Sequence, residues 1–526
     1  MDIKIMLDKC KLANQPPGKR VTILGAGIAG LVAAYELERL GHQVDIVEGS
    51  PRIGGRVWTH RFGQGSGASY GELGAMRIPS EHKHTLHYIY EMGLRDKLCK
   101  FVTVFEENNA LMHIQGKVFR LKDAPWILQE RYQGIFKDTR YSQNTRLFAA
   151  WIKTIVDAIA PGNLRASLNH DLNSHLMDEL ERLDLESYFS EDGETIDLHG
   201  FVKANPSFRA RCSKSLDMFF HDILTETSHD LLQLEGGMDQ LSDRLSAAVQ
   251  GPIHCNQEVV ALRVHEDNVE VSWLEGEQLH TRDCDYVLCT IPFSILRKIE
   301  LSGFDDNKLA AIHNTVYCPA TKVLFHCAQP FWQENGIGGG ASFSDQGIRQ
   351  IYYPSVKSNS SQGSTLLASY TIGDDAEHLG IMSESERHAY VKNAVSKLHP
   401  EIETPGMLVD MATIAWGHYK WSAAGCTIHW DENRCNYLEA SRPHDRLFFA
   451  GEHCSRFPAW LQGSIESALE AVYDIASYKP KIESARKLPV IPMEIAKTTA
   501  PSFIRDTTVT ELTRVETKAI IEEVLI

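Results

Sequence analysis

A chain of 526 residues is too long for one ordinary hydrophobic core, and its length indicates roughly three to four domain-sized units. The formal net charge of -16 argues against a nucleic-acid partner, because phosphate binding needs a basic surface. No apolar run reaches the length of a membrane span or of a secretory signal. We therefore expect a cytoplasmic protein with no membrane partner.

Cysteine and histidine usage gives no sign of a disulfide framework or a metal site. The eleven cysteines are an odd number without CxxC spacing, which fits free thiols better than paired ones or a zinc site. His82, His84 and His87 lie close together, but a solvated helix face explains them more simply than a metal does. We predict no bound metal.

The first strong pattern is a strand, a tight turn and a helix that begin at Arg20. The apolar run 21–24 is followed by Gly25, Gly27 and Gly30 in GxGxxG spacing, and the next residues repeat with helical periodicity. Gly25 permits the turn, Gly27 lets the backbone approach a pyrophosphate, and Gly30 lets the helix pack on the strand. The phosphates then face a helix N-terminus.

A second predicted strand, 44–47, ends at Glu48, whose carboxylate is placed to bind the hydroxyl pair of a ribose. This context favours dinucleotide binding over a glycine-rich packing turn. The segment 52–56 then reads RIGGR, and two glycines with two arginines suit a second phosphate contact.

This ExxxRxGGR continuation resembles the FAD-binding amine oxidase family, which includes monoamine, polyamine and L-amino-acid oxidases. The resemblance implies FAD rather than NAD as the cofactor. It also implies a mixed α/β (α+β) fold, in which a Rossmann-like FAD-binding domain of the glutathione-reductase and amine-oxidase type is joined by a mixed-sheet substrate domain and an inserted helical domain.

The remaining pattern divides the chain into these domains. Helical periodicity dominates between about 123 and 226, and alternating strands return at 258–273. We predict an FAD-binding domain of residues 19–62, 234–300 and 438–478, a substrate-binding domain of 63–122 and 301–437, a helical domain of 123–233, and a C-terminal extension of 479–526.

A second motif lies near the C-terminus, where FAGE precedes a loop and a helix within 448–472. It resembles the C-terminal flavin motif of the same family. The resemblance implies that Glu452 binds the ribityl or phosphate region, and that the backbone at 463–465 meets the flavin at a helix N-terminus. Trp460 would form one wall of the substrate cavity, and a core tryptophan is the alternative.

Two further segments point to the substrate. Gly74-Ala75-Met76-Arg77 resembles the GxMR motif of L-amino-acid oxidases, in which the arginine holds the substrate carboxylate in a two-pronged salt bridge. An ion pair with a protein carboxylate or with the FAD phosphate is the alternative. Tyr370 resembles the tyrosine whose hydroxyl these enzymes present to the same carboxylate, against the alternative of an ordinary sheet tyrosine.

Lys322 matches the family lysine that lies near the reactive flavin nitrogen and holds a water. The resemblance implies that it handles water or oxygen, with a surface lysine on an edge strand as the alternative. Trp421 would add a wall to the cavity. Cys426 stands where monoamine oxidases carry a flavin-linking cysteine, but L-amino-acid oxidases bind FAD noncovalently, and we expect a small buried thiol there.

The implied enzyme is an FAD-dependent L-amino-acid oxidase that uses O2 and yields a 2-oxo acid, NH3 and H2O2. Larger aromatic or aliphatic side chains are favoured, with Phe219, Trp421, Trp430 and Trp460 as candidate pocket residues. A selectivity for arginine or lysine is the alternative, through Asp217, Asp222 or Glu235. A monoamine or polyamine oxidase and a non-catalytic flavin protein also remain open, and we expect a homo-oligomer, a dimer or higher.

The predicted site falls into three groups. The catalytic residues are Lys322, Arg77 and Tyr370; the substrate contacts are Arg77, Tyr370, Trp460, Trp421 and the carbonyl of Ala459; the FAD contacts are Gly25, Ala26, Gly27, Ile28, Ala29, Gly30, Glu48, Arg56, Gly74, Ala75, Met76, Arg77, Val259, Glu452, Gly463, Ser464 and Ile465.

Overall fold

The computed structural model describes most of the chain up to residue 479. The described residues are 3–13, 18–65, 67–104, 106–124, 127, 140–160, 162–189, 196–214, 216–217, 220, 228, 230–354, 362–427 and 437–479. Phe219, Asp222, Trp430 and nearly all of the predicted C-terminal extension lie outside them.

The strands and helices are numbered here in chain order. The strands are β1 Arg20–Leu24, β2 Gln43–Val47, β3 Thr59–Phe62, β4 Ser69–Glu72, β5 Ile78–Pro79, β6 Leu98–Lys100, β7 Leu111–Ile114, β8 Lys117–Arg120, β9 Leu231–Leu234, β10 Ile253–His254, β11 Gln257–Val264, β12 Val269–Glu275, β13 Gln278–Cys284, β14 Tyr286–Cys289, β15 Glu300–Ser302, β16 Tyr317–Cys318, β17 Ala320–Cys327, β18 Ala341–Ser344, β19 Gln350–Tyr352, β20 Ser364–Ile372, β21 Leu408–Ala415, β22 Cys426–Thr427 and β23 Leu447–Phe449. The helices are α1 Ile3–Ala13, α2 Ile28–Arg39, α3 Lys83–Glu91, α4 Gln143–Ile159, α5 Gly162–Asp171, α6 Met177–Glu181, α7 Leu198–Ala204, α8 Pro206–Arg209, α9 Asp239–Ala248, α10 Phe293–Leu296, α11 Asp306–Asn314, α12 Asp374–Gly380, α13 Glu384–Val395, α14 Tyr437–Ser441 and α15 Leu461–Ser477.

A five-stranded parallel sheet carries the glycine-rich motif. Its strand order is β10-β2-β1-β14-β23, so strands from three distant parts of the chain lie side by side. Their side chains are apolar and mostly buried, as expected for a parallel sheet that is covered by helices. Helices α2 and α15 pack against each other beside this sheet. The predicted Rossmann-like unit is confirmed.

An antiparallel sheet of β13, β12 and β11, with β15 added in parallel, lies next to the parallel sheet. In the turn between β11 and β12, the His265 amide donates to the Asn268 carbonyl, as expected for a hairpin. Val259 on β11 shares one buried core with Leu24 and Val47 of the parallel sheet. This core links β11 to the strand ends that flank the glycine-rich turn.

A seven-stranded mixed sheet, ordered β21-β17-β20-β19-β18-β7-β8, forms the second large layer. β17 lies between β20 and β21, and Lys322 is opposite Tyr370 on one side and Ile414 on the other. The sequence predicts the strands at 321–326, 348–353 and 365–372, because branched and aromatic residues cluster there.

The described residues of the segment with helical periodicity, 123–226, are mostly helical. The periodicity predicts helices at 144–159 and 172–185; α4 closely matches the first, whereas the second forms a π-helical turn at Leu172–Leu176 followed by the short α6. The N-terminal segment contains α1, in which Met6 and Cys10 are buried.

The described part of Met1–Ser477 forms one compact unit. The division of this unit into FAD-binding, substrate-binding and helical domains therefore stays a prediction. Among the helices that the structure describes, none is long and apolar enough to cross a membrane.

Candidate active site

The glycine-rich turn follows β1 and has two positions that exclude any side chain. Gly25 has φ +108° and donates its amide to the Val47 carbonyl at 2.8 Å. A Cβ on Gly25 would lie 2.5 Å from the Thr290 hydroxyl, and one on Gly30 would lie 2.0 Å from the Gly25 carbonyl. These two glycines are required by close packing within the turn itself.

Gly27 differs, because a Cβ there would meet only the Cα of Gly55 at 3.9 Å. Gly54 donates its amide to the Ala26 carbonyl at 2.8 Å, so the RxGGR loop lies directly beside the turn. Gly27 is also the N-cap of α2, and no described side chain caps that helix end. The two loops leave a strip of bare backbone at the N-terminus of α2, which fits a pyrophosphate.

Glu48 closes this strip at the end of β2. Its side chain is buried, with Oε2 accepting from the Ala26 amide at 2.7 Å and Oε1 from the Ser50 amide at 2.8 Å. The Glu48 carbonyl accepts from the Gln257 amide at 2.9 Å, next to the strand that carries Val259. Glu48 thus lies at the expected strand end, and its ribose contact stays a prediction.

The two arginines of RxGGR have different partners. The Arg52 guanidinium donates to the carbonyls of Ile53, Gly55 and Val57 and lies 4.2 Å from the Trp58 ring centre. Its guanidinium stabilises the loop, because the turn brings three carbonyls within its reach. A phosphate contact of the RxGGR segment stays a prediction.

Arg56 forms an ion pair of 2.8 Å with Glu452. The other Glu452 oxygen accepts from the Thr427 amide at 3.2 Å, the Thr427 hydroxyl at 2.5 Å and the Ala459 amide at 3.1 Å. Burial by itself would raise the pKa of Glu452, but Arg56, His453 and Thr427 outweigh it and lower the pKa to about 2. An ionised Glu452 thus joins RxGGR to the loop before α15, and its predicted cofactor contact stays a prediction.

Gly74, Ala75 and Met76 continue this packing toward the predicted substrate site. A Cβ on Gly74 would lie 2.1 Å from the Arg56 carbonyl, and the Ala75 amide donates to that same carbonyl at 3.1 Å. Met76 is buried. The segment that ends at Arg77 therefore lies directly against the loop that contains Arg56.

Arg77 is 8% exposed and lies between two aromatic rings. Its Nη1 donates to the Tyr352 hydroxyl at 3.3 Å, and its Cζ is 6.0 Å from the Tyr352 ring centre and 5.9 Å from that of Trp460. The sequence predictions did not include Tyr352. Neighbouring strand residues point to opposite faces, so the predicted strand alone could have indicated that either Tyr352 or Tyr353 faces the site.

Tyr370 lies on the other side of Tyr352, with 6.4 Å between the ring centres. Tyr352 donates its hydroxyl to the Gln350 side chain at 2.9 Å, and Gln350 is the strand neighbour of Tyr370. Arg77 and Tyr370 thus both contact Tyr352, and Trp460 contacts Arg77.

Lys322 is 4% exposed and lies on a central strand, which excludes the alternative of a surface lysine on an edge strand. Its Nζ donates to the carbonyls of Gly74 at 2.6 Å and Glu72 at 3.2 Å, and lies 4.8 Å from the Tyr370 ring centre. Burial lowers the pKa of Lys322, and the Glu72 carboxylate offsets part of that fall. The predicted role of Lys322 toward water stays a prediction.

The loop before α15 brings the remaining predicted residues together. Ala459 is exposed and has φ +64°. The ring of the next residue, Trp460, is half-buried and packs edge-on against His82, with 5.2 Å between the ring centres. A Cβ on Gly463 would lie 2.0 Å from the Phe457 carbonyl. The first turn of α15, with Ser464 half-buried and Ile465 buried, therefore lies tightly under this loop.

Trp421 is not brought to this cluster. It packs on Gly49, where a Cβ would lie 2.4 Å from the indole ring. Gly49 directly follows Glu48, and the predicted substrate contact of Trp421 stays a prediction. Cys426 is half-buried in β22, opposite Cys318.

The acidic candidates for a basic substrate have other surroundings. Asp217 pairs with Arg209 at 2.8 Å, and Glu235 is exposed. Among the described residues, no group of three or more His, Cys, Asp and Glu side chains could hold a metal ion.

The sequence also matches a family model, described as flavin containing amine oxidoreductase, over residues 28–476. The protein belongs to the flavin-containing amine oxidoreductase family. A flavin bound at a dinucleotide cradle is FAD, so FAD is the cofactor of this family member.

Curated relatives cover most of this amine oxidoreductase. The flavin-dependent L-tryptophan oxidase RebO of Lentzea aerocolonigenes is 46% identical over 459 residues, which are 86% of this chain and 97% of the relative. The L-amino-acid oxidase of Sistrurus catenatus edwardsii is 28% identical over 473 residues, or 87% of each chain.

Solved structures share the fold. A putrescine oxidase bound to putrescine matches with a TM-score of 0.58 at 17% identity, covering 88% of this chain and 99% of the other. The cyclohexylamine oxidase of Brevibacterium oxydans IH-35A also matches with a TM-score of 0.58, at 18% identity and the same coverage. The mixed α/β fold predicted from the sequence is confirmed.

Proposed function

We propose that the protein is an L-amino-acid oxidase that converts an L-amino acid, water and O2 to a 2-oxo acid, NH3 and H2O2. The observation that carries this proposal is the buried Arg77, which contacts Tyr352 and Trp460, with Tyr370 next to Tyr352. A guanidinium in such a site suits a carboxylate, which simple amines lack. The relatives named as oxidases of L-tryptophan and L-amino acids support the same substrate class.

In this proposal Arg77 and the Tyr370 hydroxyl bind the substrate carboxylate. Each charge-assisted hydrogen bond contributes about 1.5 to 3 kcal/mol when water is excluded. The carbonyl of the exposed Ala459 accepts from the substrate amine. Because the carboxylate and the amine of the substrate are both held, its α hydrogen has one orientation, and this orientation supplies much of the rate.

Bound FAD would supply the hydride acceptor, with O2 as the final electron acceptor. The neutral amine lone pair assists departure of the hydride, so no carboxylate base is needed, and the imino acid product is hydrolysed by water. Lys322 lies beside Tyr370, and we propose that it handles water or oxygen at this place. We also propose that FAD is bound noncovalently and that Cys426 stays a free thiol.

For the side chain, we propose a preference for large aromatic L-amino acids over basic ones. Trp460, Tyr352 and Tyr370 supply aromatic surface around Arg77. Asp217 is paired with Arg209, and Glu235 is exposed, so neither supports recognition of a basic side chain. The relative from Lentzea is named as an oxidase of L-tryptophan, an aromatic amino acid, which agrees with this proposal.

A panel assay tests the function. Peroxide and ammonia release is measured with the common L-amino acids, with D-phenylalanine, and with phenethylamine, which is phenylalanine without its carboxylate. We expect turnover of large L-amino acids only. Turnover of phenethylamine at a similar kcat/KM would instead support an amine oxidase, and no peroxide with any substrate would support a flavin-binding protein without turnover.

Arg77→Ala tests the site within the same assay. We expect kcat/KM for L-phenylalanine to fall at least about a hundredfold, since a two-pronged charge-assisted contact is lost. Arg95→Ala is the matched control, because Arg95 also lies over a tyrosine ring but is exposed. An unchanged kcat/KM in Arg77→Ala would contradict the proposed carboxylate site.

We further propose that the enzyme is a homo-oligomer, in line with the family resemblance. Size-exclusion chromatography with light scattering gives its mass in solution, and a monomer of 59.1 kDa would contradict this proposal.

A further inference from the structure

The segment 72–76, which leads into Arg77, has three consecutive carbonyls that accept side-chain hydrogen bonds. Lys322 Nζ donates to the carbonyls of Glu72 at 3.2 Å and Gly74 at 2.6 Å. Between them, the Leu73 carbonyl accepts from the Trp416 indole at 2.8 Å. The Met76 sulfur lies 3.5 Å from the same Nζ.

Both donors come from one rigid support. Lys322 is on β17, and Trp416 directly follows β21, which pairs with β17 from Thr321 to Cys327. Lys322 and Trp416 are 4% and 3% exposed. Side chains buried in a packed core hold one conformation, so their hydrogen bonds define where the segment lies.

The opposite side of the segment is packed against backbone. The Gly74 and Ala75 amides donate to the carbonyls of Trp58 and Arg56, both at 3.1 Å. The Glu72 side chain accepts from the Met238 amide at 2.8 Å. The segment is therefore fixed from two sides, and Arg77 is the next residue along the chain.

We propose that Lys322 and Trp416 are positioning residues, which fix the segment 72–76 and thereby place the Arg77 guanidinium for the substrate carboxylate. The inference rests on the proposed function and adds to it. Two carbonyls and a thioether of the segment lie around the Lys322 ammonium. These contacts fix the segment independently of any role of Lys322 in handling water.

The expected effect is a loss of carboxylate affinity. If the segment shifts, the paired hydrogen bonds of Arg77 lose their alignment, and such bonds weaken steeply with angle. We expect the Kd for a carboxylate ligand to rise about tenfold when one donor is removed, in line with the net value of a charge-assisted bond.

The test uses two probes and the holoenzyme. Benzoate carries the carboxylate and benzamide is its neutral isostere, and each is titrated while the absorbance of bound FAD is followed. Lys322→Met removes both hydrogen bonds and the charge, whereas Lys322→Arg keeps a charged donor. Trp416→Phe removes only the donor to Leu73 and changes no charge.

Two matched controls have similar burial elsewhere. Lys19 donates its Nζ to the carbonyls of Ile475 and Ala476 and lies 5.5 Å from a tyrosine ring centre. It precedes β1, roughly 16 Å of strand away from the glycine-rich turn. Trp332 is fully buried in another core, so Trp332→Phe matches the loss of packing in Trp416→Phe.

We expect Lys322→Met and Trp416→Phe to weaken benzoate binding about tenfold and to change benzamide binding less than about twofold. Lys322→Arg should recover part of the benzoate affinity, and Lys19→Met and Trp332→Phe should leave it unchanged. If Lys322→Met does not fold, Trp416→Phe decides the question alone.

Unchanged benzoate affinity in Trp416→Phe overturns the inference while leaving the proposed function intact. Equal losses for benzoate and benzamide also overturn it, because they indicate a general loss of the cavity. If wild-type enzyme binds benzoate no better than benzamide, the carboxylate site itself fails, and the proposed function fails with it.

Discussion

At the scale of single residues, the buried ionisable groups of the site differ in what sets their pKa. Glu452 accepts from Arg56, Thr427 and the Ala459 amide, and these contacts outweigh burial. For Lys322 burial dominates and lowers the pKa, and for Glu72 burial raises it. The kind of contact decides which effect wins, because the Arg56 charge comes first among the contacts that lower the pKa of Glu452, whereas hydrogen bonds from Met238 and Thr59 come first for Glu72.

Glu452 therefore contributes stability that depends on pH. Its folded pKa of about 2 lies below its ordinary value of 4.5, so the contribution is present above pH 4.5 and is lost as the pH falls toward 2. We expect Glu452→Gln to lower the free energy of unfolding at neutral pH by about 3 kcal/mol, because Arg56 loses its partner.

The measurement is denaturant unfolding at pH 7 and at pH 3, where the difference between wild type and Glu452→Gln should shrink. Glu179→Gln is the control, since Glu179 pairs with Arg182 at 2.9 Å on the surface and such pairs contribute little. A difference that is the same at both pH values would contradict the assigned ionisation of Glu452.

The Tyr352 hydroxyl gives a second prediction at this scale. It accepts from Arg77 and donates to Gln350. We expect Tyr352→Phe to raise KM for an L-amino acid about fivefold with little change in kcat, which corresponds to one hydrogen bond of about 1 kcal/mol.

Tyr353→Phe is the matched control for steady-state kinetics. The Tyr353 hydroxyl contacts Ser342 and His399 at 2.6 Å in the opposite core. We expect this variant to lose stability but to keep KM. A similar rise of KM in both variants would show that Tyr352 acts only through packing.

At the scale of elements, the turn between β1 and α2 separates two uses of glycine. A Cβ on Gly30 would lie 2.0 Å from the Gly25 carbonyl, so the fold itself requires glycine at this position. Gly27 has φ -74° and faces only Gly55, so the protein itself would accept a side chain there. The need for glycine at position 27 then comes from the pyrophosphate.

We predict that Gly27→Ala leaves the melting temperature of the apoprotein nearly unchanged and raises the Kd for FAD at least about tenfold, because the Cβ occupies the path of the pyrophosphate. Gly30→Ala should instead lower the melting temperature of the apoprotein. Thermal unfolding and FAD titration measure the two effects. Normal FAD affinity in Gly27→Ala would contradict the assigned cradle.

At the scale of the whole molecule, the predicted FAD contacts come from distant parts of the chain. The glycine-rich turn, the RxGGR loop and the segment 447–465 meet at neighbouring strand ends and through the Arg56–Glu452 pair. A ligand that bridges such segments stabilises the folded state by mass action.

We therefore expect removal of FAD to lower the melting temperature and its return to restore it, with about 4 kcal/mol of stabilisation at a thousandfold excess over Kd. Thermal unfolding of the apoprotein at increasing FAD concentration measures this effect. EDTA treatment is the control, and we expect no change. A melting temperature that is independent of FAD would contradict the assembly of the site from these three segments.

Local sequence patterns were sufficient for the dinucleotide cradle and for the strands around it. The positive φ of Gly25 and the contact of Gly30 with the Gly25 carbonyl lie within one short motif, so its spacing predicts them. The same holds for Glu48 at the end of β2 and for the family motifs that contain Arg77 and Glu452. These features made the fold, the cofactor and the substrate class predictable.

Only the tertiary structure decided which side chains meet. Lys322 bonds to Gly74, which lies 248 positions away, and Trp416 bonds to Leu73, 343 positions away. Arg52 and Arg56 share one motif, yet one binds carbonyls of its own loop and the other binds Glu452. Tyr352 was missed for the same physical reason. The direction of a side chain is set by long-range packing, which local periodicity does not contain.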